Sequence, residues 1–395
     1  MKNNIDLSIS FCGIRLENPF ILASAPPTAN YHLIRRGFEA GWAGAVIKTI
    51  STSPSPTLRP RFFANKINDR LTFFGNIEQL STKKLDSWIP DLKKLRLEFP
   101  EKCLIISVMG DINSNDWLEI LEKTAAIKPN MYEINLSCPH YIDDGSSLSA
   151  GQSPSLAANI IKQAKEVTDI PIMPKLTSNV TDITVIGEAV KQAGADAISA
   201  INTVKALLGI NIERQEPEPS IDGLSAFGGL SGPAIKPIAQ RCVVELVRKV
   251  GLPVSGMGGI FSWEDAVSFL MCGATTLQLA TAVMFNGYQI INSLTSGLSN
   301  YLREKGYNAV NEIIGIINNK LVEPSNLKHN SNIYYKVNED QCTGCRACLT
   351  ACSDGGFEAI SMNSKKKAVI DKNRCDGCSL CFYVCPVNCI YPVYY

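Results

Sequence analysis

The sequence predicts an α/β protein built on a (β/α)8 TIM barrel, with a smaller domain at its C-terminal end. Three observations support this prediction. Short apolar segments alternate with amphipathic helices through roughly the first 300 residues. Several of these helices end in small residues and glycine directly before an apolar segment, as at Ala40-Gly41 and Ala193-Gly194, where glycine suits the left-handed end of a helix. The last part of the chain then changes composition and becomes rich in cysteine.

Eight segments are predicted as strands, with a helix between most of them: Phe20–Ala23, Ala45–Lys48, Leu104–Val108, Tyr132–Leu136, Ile172–Leu176, Ala197–Ile201, Val254–Met257 and Thr276–Leu279. Eight such units favour a barrel. A doubly wound open sheet is the alternative, but it would carry a G-x-G-x-x-G turn after its first strand, and none occurs there. We expect the barrel over residues 1–305, a helix and linker over 306–335, and the C-terminal domain over 336–395.

Two finer predictions concern the helices and the connections. Thr181 is expected to cap a helix whose apolar face includes Ile183 and Ile186. The long segments Ile50–Leu71 and Leu207–Leu230 follow the second and sixth strands and are rich in Pro, Gly and Ser. Because they lie on the active-site face of a barrel, we interpret them as lid or partner-docking segments.

Composition narrows the class of protein. The chain of 395 residues has 38 basic and 37 acidic side chains, so neither a nucleic-acid-binding protein nor a membrane-surface protein is indicated. No apolar run approaches the ~20 residues that span a bilayer, and the polar N-terminus does not resemble a secretory signal. We therefore expect a cytoplasmic protein, in which fourteen cysteines argue for metal binding or catalysis rather than disulfides.

Eight cysteines of the C-terminal domain form two copies of the spacing C-x2-C-x2-C-x3-C. Two-cluster ferredoxins have this spacing, and in them the fourth cysteine of each run binds the other cluster. The spacing predicts two [4Fe–4S] clusters, one on Cys342, Cys345, Cys348 and Cys385, and one on Cys375, Cys378, Cys381 and Cys352. Zinc sites or free thiols are the alternatives. Cys389 lies outside the pattern and is interpreted as structural.

An electron relay on a chain without a nicotinamide fingerprint predicts a flavin in the barrel, since flavin converts one-electron steps into hydride chemistry. Barrels bind phosphate with the loops after strands seven and eight. These loops contain Gly258, Gly259, Ala280 and Thr281, although a glycine-rich turn alone also suits an ordinary loop. Lys48 and Lys175 come at strand ends and are expected to face the flavin ring, the alternative being that they extend to the surface.

A second group of side chains suits the substrate. Cys138 follows the fourth strand directly and precedes Pro139, which places a thiol where a loop begins. A buried structural thiol is the alternative. Polar side chains at other strand mouths offer donors and acceptors for an imide-like ring. They are Asn76, Glu78, Asn135, Asn202 and Thr203.

The sequence resembles the dihydropyrimidine dehydrogenase family, in particular its bacterial FMN and iron–sulfur subunits. The resemblance rests on N-L-S-C-P-H at 135–140, G-N-I-E at 75–78, A-I-N-T-V at 200–204 and the doubled cysteine spacing. It implies FMN in the barrel and reduction of uracil or thymine, with Cys138 as the general acid/base. The implied substrate contacts are Asn76, Glu78, Asn135, Ser137, Asn202 and Thr203. The implied flavin contacts are Ala23, Ser24, Lys48, Thr49, Lys175, Gly232, Gly259 and Thr281.

The resemblance also implies a separate FAD- and NAD(H)-binding subunit, in a heterotetramer, because this chain lacks the corresponding domains. The loop 141–149 differs from the Gly- and Met-rich form of the animal enzymes. Two other functions stay open. One is a dihydroorotate dehydrogenase or another cyclic-amide oxidoreductase, against which Glu78 argues because it would repel a substrate carboxylate. The other is an electron-transfer subunit whose barrel is only a scaffold.

Overall fold

The computed structural model describes residues 5–52, 54, 56–110, 116–136, 150–328 and 333–394. The chain divides into two compact units, Met1–Leu321 and Val322–Tyr395. In the first unit, eight parallel strands close into a barrel in chain order, which confirms the predicted fold. The strands are β1 (Phe20–Leu22), β2 (Gly44–Val46), β3 (Cys103–Val108), β4 (Met131–Asn135), β5 (Ile172–Leu176), β6 (Ile198–Ala200), β7 (Val254–Met257) and β8 (Thr276–Leu279).

One predicted strand boundary is wrong in a way that matters for the site. The sequence pattern puts Lys48 at the end of the second strand, but β2 ends at Val46. The backbone leaves the regular ladder there, and the Lys48 N–H donates to the Thr28 carbonyl at 3.0 Å. Lys48 therefore sits in the loop above the barrel. Lys175, by contrast, is the penultimate residue of β5.

Helices connect and cover the strands. They are α1 (Tyr31–Ala40), α2 (Leu85–Glu98), α3 (Asp116–Ala125), α4 (Pro154–Val167), α5 (Ile183–Gln192), α6 (Lys236–Glu245, continued by a π turn at Leu246–Val250), α7 (Trp263–Met271), α8 (Thr281–Asn286) and α9 (Ile290–Lys305). The expected cap of α5 is wrong by one residue, because Asp182 rather than Thr181 caps it and accepts from the Thr184 N–H at 2.9 Å. Among the described residues, no helix is both long and apolar enough to cross a membrane.

The barrel core separates into two apolar clusters. The larger lies between the strands and the helix layer and includes Trp42 and Trp88, both fully buried. The smaller lies at the N-terminal end of the barrel, where the hairpin of Ile9–Phe11 and Ile14–Leu16 packs against residues such as Met131 and Met173. Because apolar side chains close this end, any opening for ligands lies at the carboxyl ends of the strands.

The two long connections contribute strands to a second sheet, and their role as lid or partner-docking segments stays a prediction. Phe62–Ile67, Arg70–Asn76, Gly228–Ser231 and Val204–Ala206 pair antiparallel, and we call these four strands the accessory sheet. Gly229 faces Asn76 in this pairing. Residues about 150 apart in sequence are thus held in register beside the barrel, and the sheet carries Asn76 and the adjoining Glu78 with it.

Residues 306–335 are predicted as a helix and linker, but the described residues 306–328 contain no α-helix and form three 3-10 turns, Val310–Ile313, Asn318–Lys320 and Pro324–Asn326. The second unit contains two antiparallel strand pairs, Ile333–Val337 with Ile390–Tyr394 and Ile360–Met362 with Ala368–Ile370. Two short helices, α10 (Ala347–Asp354) and α11 (Leu380–Tyr383), complete it. Its small core combines Tyr335, Ile360 and Ile390 with cysteine side chains.

Candidate active site

A cavity opens at the carboxyl ends of the barrel strands. Most of the residues singled out from the sequence for the cofactor and the substrate line it. They are Ala23, Ser24, Lys48, Thr49, Asn76, Glu78, Asn135, Lys175, Asn202, Thr203, Gly232, Gly258, Gly259, Ala280 and Thr281. The remaining two, Ser137 and Cys138, lie outside the described residues, so their roles stay predictions. One cavity therefore unites residues that stand more than 250 positions apart in the sequence.

Glu78 is held between two cations at one side of this cavity. Its Oε2 lies 3.0 Å from Lys48 Nζ, and its Oε1 lies 3.2 Å from Arg61 Nε. The Glu78 side chain is only 18% exposed, so solvent screens these contacts weakly. Two positive charges compensate one negative charge here. Glu78 consequently repels a substrate carboxylate less than the sequence alone suggests.

Amide side chains at three strand mouths are oriented by one another and by the backbone. Asn202 Nδ2 donates to Asn135 Oδ1 at 3.3 Å, and Asn202 Oδ1 accepts from the Thr203 N–H at 2.8 Å. Asn76 Nδ2 donates to the Gly229 carbonyl at 3.3 Å, and its Oδ1 accepts from the Glu78 N–H at 3.2 Å. These bonds fix which end of each amide is donor and which is acceptor. The cavity wall thus presents a defined pattern of polar groups.

A buried carboxylate lies beneath the cavity, on the inside of β4. Glu133 is fully buried, and it accepts hydrogen bonds from Ser107 Oγ at 3.3 Å and Ser199 Oγ at 2.9 Å. Gln278 Nε2 donates to it at 3.1 Å, and Lys175 Nζ lies 3.7 Å away. A buried charge needs such partners to offset its desolvation. The carboxylate therefore anchors side chains from β3, β5, β6 and β8.

The loops after β7 and β8 are built for close backbone approach. Gly258 and Gly259 have φ values of 121° and 81°. A Cβ at Gly259 would lie 2.9 Å from the Gly232 carbonyl oxygen and 3.0 Å from the Lys236 nitrogen, so no side chain fits there. Ser231 and Thr281 share a hydrogen bond of 2.9 Å between their hydroxyls. Glycine at such positions lets the backbone approach a ligand closely, and with the neighbouring hydroxyls it suits a phosphate.

The cysteines of the second unit surround two further cavities. One cavity is lined by Cys342, Cys345, Cys348 and Cys385 together with Cys389, and the other by Cys352, Cys375, Cys378 and Cys381. The fourth cysteine of each run thus faces the other run's cavity. A backbone hydrogen bond at Ala368 lowers the pKa of the Cys342 thiol, which favours the thiolate that binds metal. Four thiols around each cavity fit a [4Fe–4S] cluster.

Comparison with known proteins assigns both units. Residues 6–302 match the family model for dihydroorotate dehydrogenase, and residues 335–391 match the 4Fe-4S dicluster domain. The chain belongs to the dihydroorotate dehydrogenase family. It is 37% identical over 391 residues to the NAD-dependent dihydropyrimidine dehydrogenase subunit PreA of Escherichia coli, covering 98% of this chain and 95% of that one. The resemblance predicted from the motifs is thereby confirmed.

Other relatives in the dihydroorotate dehydrogenase family match a shorter part of the chain. The catalytic subunit of dihydroorotate dehydrogenase B (NAD(+)) from Pyrococcus abyssi is 38% identical over 311 residues, covering 78% of this chain and 98% of that one. The corresponding subunit from Pyrococcus furiosus is 37% identical over 312 residues. The family depends on FMN, and the dicluster domain fits two [4Fe–4S] clusters, so this chain is an iron–sulfur flavoprotein oxidoreductase.

The residues that line the barrel cavity of this chain fit FMN. Gly258 and Gly259 after β7 and Thr281 after β8 would hold the phosphate, and Lys48 and Lys175 would face the ring. Sequence reasoning missed two features that support these groups. Arg61 lies in a Pro-rich segment that gives no sign of pairing with Glu78. Glu133 stands in an apolar run, and a lone carboxylate there is a signal that could have been used.

Proposed function

We propose that this chain catalyses the reversible reduction of uracil or thymine to the 5,6-dihydro form at FMN. Electrons would arrive through the two [4Fe–4S] clusters from a separate FAD- and NAD(H)-binding subunit, in a heterotetramer. One observation carries the proposal. The relative that spans both the barrel and the cysteine unit, at 98% of this chain, is named for dihydropyrimidine dehydrogenase. The Pyrococcus abyssi relative named for dihydroorotate dehydrogenase covers 78% of the chain.

The polar wall of the cavity suits a pyrimidine base. Uracil and thymine present alternating carbonyl and N–H groups along one edge, and Asn76, Asn135 and Asn202 each offer a donor and an acceptor. Because these amides are already oriented by hydrogen bonds, little ordering is needed when the base binds. The same groups would stabilise charge that develops on the carbonyl oxygens during reduction.

Reduction requires a hydride at C6 and a proton at C5 of the pyrimidine. FMN supplies the hydride chemistry. The Cys138 thiol is assigned the proton for C5, which leaves a thiolate that solvent reprotonates. Lys175 would face the FMN ring, with the Glu133 carboxylate 3.7 Å from its Nζ. In this scheme the chain's own residues bind the base, orient it and deliver one proton.

Dihydroorotate oxidation is the second candidate, and one observation favours it. Glu78 is compensated by Lys48 and Arg61, so the cavity does not present an unopposed negative charge to the carboxylate of orotate. Relatives that carry this activity by name match the barrel at 37–38% identity. The pyrimidine proposal therefore depends on the amide wall and the cysteine unit more than on Glu78.

Anaerobic spectroscopy of the purified chain distinguishes these candidates. The oxidised protein is mixed in turn with uracil, thymine, dihydrouracil and dihydroorotate, while the flavin spectrum is recorded. We expect uracil and thymine to perturb the spectrum and dihydrouracil to bleach it, with little bleaching by dihydroorotate. Bleaching by dihydroorotate alone would overturn the proposal. A spectrum that none of the four compounds changes would favour the third interpretation, an electron-transfer subunit with a scaffold barrel.

The proposed partner is tested by co-purification of the native complex. We expect a second chain that contains FAD, together with FMN and about eight irons for each copy of this chain. Native mass spectrometry would then give the stoichiometry expected of a heterotetramer. Purification of this chain alone, with full activity towards NADH, would contradict the assignment of a separate reductase subunit.

A further inference from the structure

Gln278 lies on β8, where its side chain reaches the floor of the barrel cavity. Its Nε2 donates to Glu133 Oε2 at 3.1 Å and to Ser255 Oγ at 3.1 Å. A carboxylate only accepts hydrogen bonds, so the nitrogen of the amide must face Glu133. The amide therefore has one possible orientation, and its oxygen points away from the carboxylate.

That oxygen lacks a partner among the described residues. Gln278 is 1% exposed, and its Oε1 is buried without a hydrogen bond. A buried acceptor left unsatisfied is costly, which is why such atoms usually meet a ligand or an ordered water. Gln278 also lines the cavity in which we expect FMN to bind. The orphaned oxygen is thus a candidate contact for a donor on the cofactor.

The position of Gln278 along β8 narrows the choice of donor. Ala280 and Thr281, in the predicted phosphate cradle, follow it by only two and three residues, and two residues of strand span about 7 Å. The ribityl chain joins the phosphate to the ring of FMN and carries hydroxyl donors. The other donor, the ring N3–H, stands at the end of the cofactor remote from the phosphate.

We propose that Gln278 binds the cofactor by accepting a hydrogen bond from a ribityl hydroxyl of FMN, and that Glu133 is the positioning residue that fixes its amide. Glu133 can serve this purpose because hydroxyls from two other strands, Ser107 and Ser199, hold its carboxylate. The same carboxylate faces Lys175. The buried Glu133 carboxylate thus contacts both the Gln278 amide and the Lys175 cation. The inference needs FMN alone and does not depend on which pyrimidine is reduced.

The test measures the affinity of the full-length apoprotein for FMN and for its 2′-, 3′- and 4′-deoxy forms, by quenching of flavin fluorescence. Wild-type protein should bind one deoxy form about three- to tenfold more weakly than FMN, as expected for one hydrogen bond. Gln278→Met should bind FMN more weakly and lose its discrimination against that same form. The ligand-side change separates a direct contact from a structural effect, because mere loosening would weaken FMN and its deoxy forms equally.

Two further variants complete the design. Gln240→Met removes a glutamine whose Nε2 donates to Ser268 Oγ on the helix layer, and it should leave both affinity and discrimination unchanged. Glu133→Gln can hold the Gln278 amide in either orientation, so discrimination should fall even where FMN still binds. Because Glu133→Gln hardly changes side-chain volume, a fall in discrimination in this variant is due to loss of the carboxylate.

Several results would overturn the inference. If the wild-type protein binds all three deoxy forms as tightly as FMN, Oε1 meets a buried water instead. If Gln278→Met discriminates as well as wild type, the contact belongs to another residue. 3-Methyl-FMN, measured in the same way, lacks the ring N3–H donor; if Gln278→Met loses discrimination against this form instead, the partner is the ring imide and the ribityl assignment is wrong. If Glu133→Gln discriminates as wild type does, Glu133 does not position the amide.

Discussion

The barrel cavity and the two cysteine cavities are assembled in different ways. Each cysteine cavity draws its thiols from the second unit alone, and four thiols at each cavity are predicted to bind iron directly. The barrel cavity collects side chains from seven of the eight strand ends and from the accessory sheet, and several of them hydrogen-bond to one another. A single substitution at a predicted ligand should therefore abolish a whole cluster in the second unit, whereas a substitution at the barrel cavity should weaken binding or activity by degrees.

The largest expected effect tests the crossed cysteine arrangement. Cys352→Ser should abolish one cluster and remove about half of roughly eight irons. Because Cys352 faces the cavity of Cys375, Cys378 and Cys381, the spectrum of the remaining cluster should match that of Cys378→Ser. Iron analysis and electron paramagnetic resonance of the reduced protein measure this. A match to Cys345→Ser instead would show that each run of four binds its own cluster.

The next effect belongs to the predicted proton donor. Cys138→Ala should reduce the rate of pyrimidine reduction roughly 10²–10⁴-fold, because the base then lacks a positioned acid. FMN content should stay unchanged. Cys12→Ala, at a partly buried thiol near Asp196 outside the cavity, is the matched control. Unchanged turnover in Cys138→Ala would remove the role assigned to it.

Arg61→Met tests whether the charge balance around Glu78 is graded, as expected in the barrel. Losing one of two cations should raise KM for uracil about three- to tenfold with a smaller change in kcat, since Lys48 still pairs with Glu78. Arg70→Met, on the same sheet and exposed, should behave as wild type. A change in kcat of more than about a hundredfold would make Arg61 part of the reaction rather than of binding.

The smallest effect concerns Cys389, the ninth cysteine of the second unit. Its Sγ lies 3.5 Å from Cys385 Sγ, and its backbone N–H donates to that sulfur at 3.3 Å. Hydrogen bonds to ligand sulfurs raise cluster potentials. Cys389→Ala should lower one midpoint potential on the order of tens of millivolts, and Cys389→Ser should lower it less. Loss of iron in Cys389→Ala would make it a ligand instead.

The same contrast explains which features of the molecule can be predicted from its sequence. Cysteine spacing is local, so both groups of thiols are recognisable from the order of residues alone. Strand ends of a barrel converge, so Asn135 and Lys175 are also predictable as neighbours. The pairing of Gly229 with Asn76 is not local, and no sequence pattern indicates the accessory sheet.

Charge partners are the least predictable part of the site. The sequence suggests a bare carboxylate at Glu78, yet its two cations come from a loop after β2 and from a Pro-rich connection. Glu133 lies within an apolar strand pattern, although its burial requires donors from several strands. The pattern of apolar and polar residues indicates on which face of a strand a side chain lies. Its charge partners depend instead on the register between segments that are distant in the sequence.

A single-turnover experiment tests the central claim most directly. The full chain is photoreduced under anaerobic conditions, excess uracil is added, and dihydrouracil is quantified by mass spectrometry. Two electrons on FMN and one on each cluster should yield about two dihydrouracil per chain, because each reduction consumes two electrons. Product formed from orotate but not from uracil, or no product from either, would contradict the account.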